Sequence, residues 1–249
     1  MESTIPKTST ALASLLRADF TTLIRNRRSV VLALLVPNII LISWKGLVAK
    51  LGGPFALSSA ITIGLMAIGL MGYTISVSRD RDKGIFQRLR VAPLPTWTIM
   101  ASRLLIQMFM IMLLTIIIFL VGYNYDKITL SLSGYLLTFF VSFIGAAVYL
   151  SLGQLIVGLI KNPETVNATT RLVYFVFIMV GMFGDLGVLG EYVTKGAHWS
   201  PYGCVKMMLA ASMEPAKWNH DTNMALLVTI GYTVIFTISG IKNFKWESR

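Results

Sequence analysis

The chain has 249 residues, 55% of them hydrophobic and only 13% charged, about half the charged share of a soluble domain. Its formal net charge is +11, but the basic residues lie between long uncharged runs rather than in one patch, which excludes a nucleic-acid-binding surface and points to a polytopic membrane protein. A single cysteine, Cys204, excludes an intrachain disulfide framework, and five basic side chains spread over residues 1–28 do not make a cleaved signal peptide.

Residues 1–28 divide into a polar tail, Met1–Thr10, and a basic amphipathic helix from Ala11. Leu12, Leu15, Leu16, Phe20, Leu23 and Ile24 recur at three- and four-residue spacing, while Arg17, Thr21, Arg25 and Arg28 fall on another face. Such a helix lies in the membrane interface, with its arginines among anionic headgroups. Residues 29–241 then read as a six-helix transmembrane domain, followed by a short tail, 242–249.

The first span is Val30–Trp44, interrupted by Pro37, with the polar Asn38 beside it facing an inter-helix seam. Lys45 and Lys50 flank a glycine-rich outer loop at Gly52-Gly53-Pro54, and the second span runs Phe55–Ser78. A charged segment, 79–95, precedes the third span, Trp97–Tyr123, where Arg103 is placed to snorkel toward headgroups. Gly122–Ser133 makes an outer turn, and the fourth span falls within Ile128–Ile160. After the loop Lys161–Glu164, a fifth apolar run from Leu172 meets Asp185 after 13 residues, short for a crossing. The expectation is a fifth helix that breaks near Gly184 and returns as a re-entrant or interfacial piece including Val205–Ala211. Thr222–Ile241 is the sixth span. The fold class is therefore all-α: six transmembrane helices, an N-terminal interfacial helix and a broken fifth helix.

With six crossings, both termini share one side. That side carries 16 of the Lys and Arg residues and the other carries 6, so the termini and the 79–95 segment are cytosolic and the location is the cell membrane.

Catalytic motifs are missing. There is no HExxH, paired CxxC, GxSxG or GxxxxGK[ST], so the chain lacks the residues of a metalloprotease, a serine hydrolase or a phosphate-loop ATPase. His198 and His220 have no metal-ligand spacing. The second, fourth and sixth spans carry no ionisable residue, nor does the third beyond Arg103, which disfavours ion-coupled transport. Gln107 and Gln154 are the polar residues inside helices and read as inter-helix hydrogen bonds. Energy has to enter from outside the chain.

The segment 79–95 is where it can enter. Arg79, Asp80, Arg81 and Asp82 alternate in charge and suggest a solvated start rigidified by local ion pairs. Gly84 permits a turn. Ile85, Phe86 and Leu89 then form an apolar patch on a short helix closed by Pro93 and Pro95. A basic loop anchored to lipid headgroups is the alternative reading of the same residues.

Asp80-Arg81-Asp82-Lys83-Gly84-Ile85-Phe86-Gln87-Arg88-Leu89-Arg90, followed by Pro93-Leu94, resembles the segment after the second span of type-2 ABC transporter permeases. The basic N-terminal helix, six spans, broken fifth helix and Ser200-Pro201 before the last span extend the resemblance over the whole chain. Ile85 stands where threonine is usual and Gln87 where glutamate is usual. The resemblance implies that Asp80, Arg81, Asp82, Gly84, Ile85, Phe86, Gln87, Arg88 and Leu89 couple the chain to a separate ATPase. It also implies two ABC ATPase subunits holding ATP and Mg, with no cofactor on this chain. A second permease subunit follows, with a homodimer favoured over a heterodimer and a path or seam at Pro37, Asn38 and Gly184. The cargo expected is lipophilic or amphiphilic, such as a drug, lipid or peptide. A glycan exporter permease, or a non-transporting membrane subunit of another complex, stays open.

The charge asymmetry generates a test. In single-cysteine variants labelled from outside intact cells, a probe at position 127 should react and one at position 88 should not. The reverse pattern would overturn the orientation.

Overall fold

The computed structural model describes residues 8–90 and 96–245. The tail before Thr8, the closing prolines Pro93 and Pro95, and the last four residues lie outside the described residues. Among those described, every regular element is helical: α1 (Thr8–Arg25), α2 (Arg27–Ser43), α3 (Lys45–Leu51), α4 (Gly53–Asp82), α5 (Ile85–Arg90), α6 (Thr96–Asp126), α7 (Leu132–Leu159), α8 (Pro163–Asp185), α9 (Glu191–Trp199), α10 (Pro201–Met213) and α11 (His220–Asn243). Five of these, α4, α6, α7, α8 and α11, are long and apolar enough to cross a membrane. A sixth crossing arises only if α1 and α2, which meet at 64°, count as one bent span.

Sequence signals set the helix starts. Asn162 caps α8, its side-chain oxygen accepting from the Glu164 and Thr165 amides at 2.8 and 3.0 Å, with Pro163 in the first turn. Ser131, Ser200 and Asn219 cap α7, α10 and α11 in the same way. These caps explain why α8 begins at Pro163 rather than Leu172. At 23 residues it is long enough to cross, which corrects the expectation of a short fifth run. Two further boundaries differ from expectation. Of the outer loop expected at Gly52-Gly53-Pro54, Gly53 and Pro54 form the first turn of α4, and α4 continues through Arg79–Asp82, so the charges assigned to a solvated hinge are its last turn.

α4 is the central element. In its most apolar stretch 78% of the residues are buried, against 17% in α8 and in α11. The outer helices leave Leu172, Phe175, Val176, Leu227, Val234 and Ile235 exposed, as lipid-facing or partner-facing surfaces require. A π-helical stretch, Met66–Gly72, interrupts α4. Beyond α8 the chain turns at Gly187 (φ +68) and returns through α9 and α10. α10 is not peripheral: Tyr202, Cys204, Val205, Met208 and Leu209 are buried, packed against α4, α7 and α11.

Close approach is set where glycines meet. A Cβ on Gly158 would lie 2.6 Å from the Gly240 carbonyl oxygen, and one on Gly240 would lie 2.8 Å from the Leu155 amide nitrogen. α7 and α11 thus touch backbone to backbone. Buried hydroxyls bond back to their own helix, as Thr115 does to the Ile111 carbonyl at 3.0 Å. Between helices, Tyr73 donates to Gln154 Oε1 at 2.6 Å, the kind of inter-helix bond expected of Gln154.

Gly158→Leu should separate α7 from α11 at a cost of about 1–3 kcal/mol or more. Gly231→Ala, with nothing within 4 Å of the added methyl, should be neutral. Thermal unfolding of detergent-purified variants checks both; equal stability of Gly158→Leu and the parent would contradict the packing.

Candidate functional site: the 79–90 segment and its anchorage

The last turn of α4 does not form the row of local ion pairs that its alternating charges suggest. Arg81 points inward and is 1% exposed. Its Nη1 donates to the Val157 carbonyl at 2.7 Å, and its Nη2 to the Ile160 and Lys161 carbonyls at 2.7 and 2.9 Å. Val157 lies in the last turn of α7, Ile160 caps it and Lys161 follows, a stretch where helical geometry leaves carbonyls without partners. A guanidinium there also opposes the partial negative charge of the helix end. The Phe244 ring lies beneath it, 5.9 Å from centroid to guanidinium carbon.

Asp80 turns the other way. Its Oδ2 meets Arg103 Nη2 at 2.7 Å, while Arg103 Nη1 lies 3.3 Å from Asp19 Oδ1. Ser102 donates to Asp19 Oδ2 at 2.6 Å. One arginine therefore joins α1, α4 and α6. Arg103 does not snorkel outward, because two carboxylates within reach hold it against the bundle.

Lys83 ends α4, and Gly84 adopts φ +67, with its amide donating to the Arg81 carbonyl at 3.0 Å. This is the left-handed stop that glycine provides at helix ends. A Cβ at Gly84 would meet only Gln87 Oε1, at 3.4 Å, so backbone conformation rather than space demands glycine here.

α5 follows, only six residues long. A helix this short does not stand alone in water, and Phe86 seats it: the side chain is fully buried, its ring edge-to-face with Phe244 at 6.1 Å. This corrects the expectation of an exposed three-residue apolar patch, because Phe86 is spent on the chain's own core. Ile85 and Leu89 are half-buried, while Asp82, Lys83, Gln87 and Arg88 are exposed. The outward surface of the segment is polar with an apolar margin.

The three seam residues do not share one surface. Asn38 is buried, its Nδ2 donating to the Leu34 carbonyl at 2.6 Å. Pro37 contacts the site of Gly64 on α4. Gly184 packs against Ala197 of α9. Each serves packing within the chain, since proline and small residues let neighbouring helices close in. Gln107 lines a cavity between α2, α4 and α6.

Sequence reasoning also missed the far end of the bundle. Lys206 Nζ, 6% exposed as a residue, pairs with Asp185 and lies 3.8 Å from the Phe55 ring centroid, tying α10, α8 and α4 together. A lysine inside the apolar run 205–211, with no local acid, was the available signal.

Arg81→Gln removes several charge-assisted hydrogen bonds, each worth roughly 1.5–3 kcal/mol, and should lower stability by about 3 kcal/mol in all. Arg79→Gln, on the exposed side of the same turn, should cost under about 0.5 kcal/mol. Denaturant titration of both purified variants tests the difference; similar curves would contradict the clamp.

Residues 49–241 match the family model described as ABC-2 family transporter protein. The chain is also 24% identical over 186 residues, 73% of each chain, to a candidate transport permease named YvfS from Bacillus subtilis (strain 168). With the matched region covering α4 through the last turns of α11, including the whole clamped segment, the chain belongs to the ABC-2 family of transporter proteins, as a multi-pass permease of the membrane.

Proposed function

We propose that the chain is the transmembrane permease subunit of an ATP-driven exporter, in which the 79–90 segment receives the stroke of a separate ATPase. The observation that carries this is the mounting of α5. It is a short helix with a polar outward surface, fixed to the bundle by Phe86 and by the Arg81 junction one turn away. A segment that moved independently of the spans would transmit nothing. Arg81 and Phe86 instead link it to α7 and α11.

In this reading the segment and both chain ends face the cytosol, ATP and Mg bind the ATPase, and two permeases assemble with two ATPases. The apolar surfaces of α2 and α8, with Val31, Leu35, Ile39, Leu172 and Phe175 exposed, supply the seam between permeases in place of Pro37, Asn38 and Gly184. α9 and α10 return into the outer leaflet as the broken fifth element. The cargo is lipophilic or amphiphilic, in keeping with the apolar spans, and it leaves the cell.

The contact with the ATPase then runs through Gln87, Arg88 and the apolar margin of Ile85 and Leu89. Arg88→Glu combined with Ile85→Asp should reduce recovery of a stoichiometric P-loop ATPase on the tagged chain by about tenfold, with membrane insertion unchanged, since loss of an interface contact of about 1.4 kcal/mol is tenfold in affinity. Phe86→Ala should instead lower the stability of the permease itself, by about 3 kcal/mol. Purification from native membranes with ATPase assays checks both. Full co-purification and substrate-stimulated hydrolysis in the double variant would overturn the assignment.

A further inference from the structure

At the same end of the bundle, α1, α2, α4, α6 and α8 line an open cavity of about 480 Å3, within the roughly 300–1,000 Å3 of small-molecule sites. Its wall is graded along the helix axes. Arg79 and Arg103 line one end, together with Asp19, and Arg171 reaches in from α8, eight residues beyond its start. Met71 lies eight residues inward from Arg79, and Met110 seven inward from Arg103, each roughly 10–12 Å deeper at 1.5 Å per residue. There the lining is mainly apolar, with Ala33, Ile68 and Met71, beside the single amide of Gln107.

The charge at the polar end is not balanced. Arg103 is held by Asp19 and Asp80, but Arg79 and Arg171 are exposed and, among the described residues, form no ion pair. The deeper part of the wall on the α4 side belongs to the π-helical stretch, of which Ala67, Ile68, Met71 and Gly72 line the cavity, and Tyr73 to Arg79 continue it toward the charged end. Such widened turns inside α-helices occur preferentially at functional sites. Gly72 is exposed despite lying within a span, and a Cβ there would meet only ordinary contacts, the Ala67 carbonyl oxygen at 3.5 Å and Gln107 Oε1 at 3.7 Å. The space is real, and a larger side chain would enter it.

We propose that this cavity binds an anionic amphiphile, its acidic head held by Arg79 and Arg171 and its hydrocarbon tail laid against Ala67, Met71 and Met110. Guanidinium groups match phosphate and carboxylate oxygens in charge and in planar donor geometry. The apolar depth behind them accepts a tail and rejects a free inorganic anion. The ligand enters from the adjoining leaflet. Its role as cargo rests on the export reading above; the binding itself does not.

The test uses the detergent-purified full chain, titrated with dioleoyl phosphatidylglycerol or dioleoyl phosphatidylcholine and read by native mass spectrometry. The parent should prefer phosphatidylglycerol by about tenfold, the worth of one charge-assisted contact. Arg79→Gln with Arg171→Gln, both at exposed positions, should bring that preference close to unity, weakening phosphatidylglycerol binding more than phosphatidylcholine binding. Gly72→Leu should reduce binding of both lipids, and Ala67→Leu provides a second plug should the first variant fold poorly. Persistence of the preference in the double variant would overturn the proposal. So would an equal loss on Lys242→Gln with Lys245→Gln, which lie outside the cavity, or displacement of the lipid by millimolar inorganic phosphate. None of these measurements involves ATP, so their failure leaves the export reading standing, and loss of ATPase coupling leaves the site standing.

Discussion

Everything at the basic end of this molecule depends on Arg81 reaching the carbonyl end of α7. The guanidinium fills three acceptors in and just beyond the last turn of α7, at 2.7 to 2.9 Å. A charge buried this deeply is costly unless it is hydrogen-bonded; both terminal nitrogens of Arg81 are met, while Nε has no partner among the described residues. The consequence is mechanical. The end of α4, the end of α7 and, through Phe244, the end of α11 are held at one point, and α5 leaves from that point after a single glycine turn. Two further helices of this end, α1 and α6, are drawn in by the second arginine, Arg103, through Asp19 and Asp80. Two arginines organise five helices.

The two junctions divide the segment's acidic and basic residues between separate tasks. Alternation along the sequence becomes opposition in space, because successive residues on a helix point about 100° apart. Arg81 faces α7 while Asp80 faces α6, and Arg79 is left exposed. The family match begins at residue 49, so α1 and α2 lie outside it, yet Asp19 binds α1 firmly to the matched core. The N-terminal helix is thus structurally part of the permease body.

How much of this was legible in the sequence depends on the kind of interaction. Long apolar runs bounded by polar caps are local signals, and α4, α6, α7 and α11 fall close to where hydropathy puts them. Gly84 was legible too, since a glycine between charged and apolar residues marks a left-handed stop. The start of α8 was obscured because Thr165, Asn167 and Arg171 break the apolar run without breaking the helix. Arg81 and Phe86 were read as solvated and as exposed, because their partners lie 76 to 80 residues away for the one and at Phe244 for the other. No spacing rule carries that distance. Asp19, the only acid among the arginines of α1, was a signal that the amphipathic pattern overshadowed.

If Arg81 holds α5 and the end of α7 as one unit, their backbone amides must open together. Amide hydrogen exchange on the purified Arg81→Gln variant measures this directly. The account predicts that protection falls in parallel over residues 85–90 and 155–161, with the Lys206 end of the bundle unchanged. Loss of protection in 85–90 alone, with 155–161 as slow as in the parent chain, would contradict it.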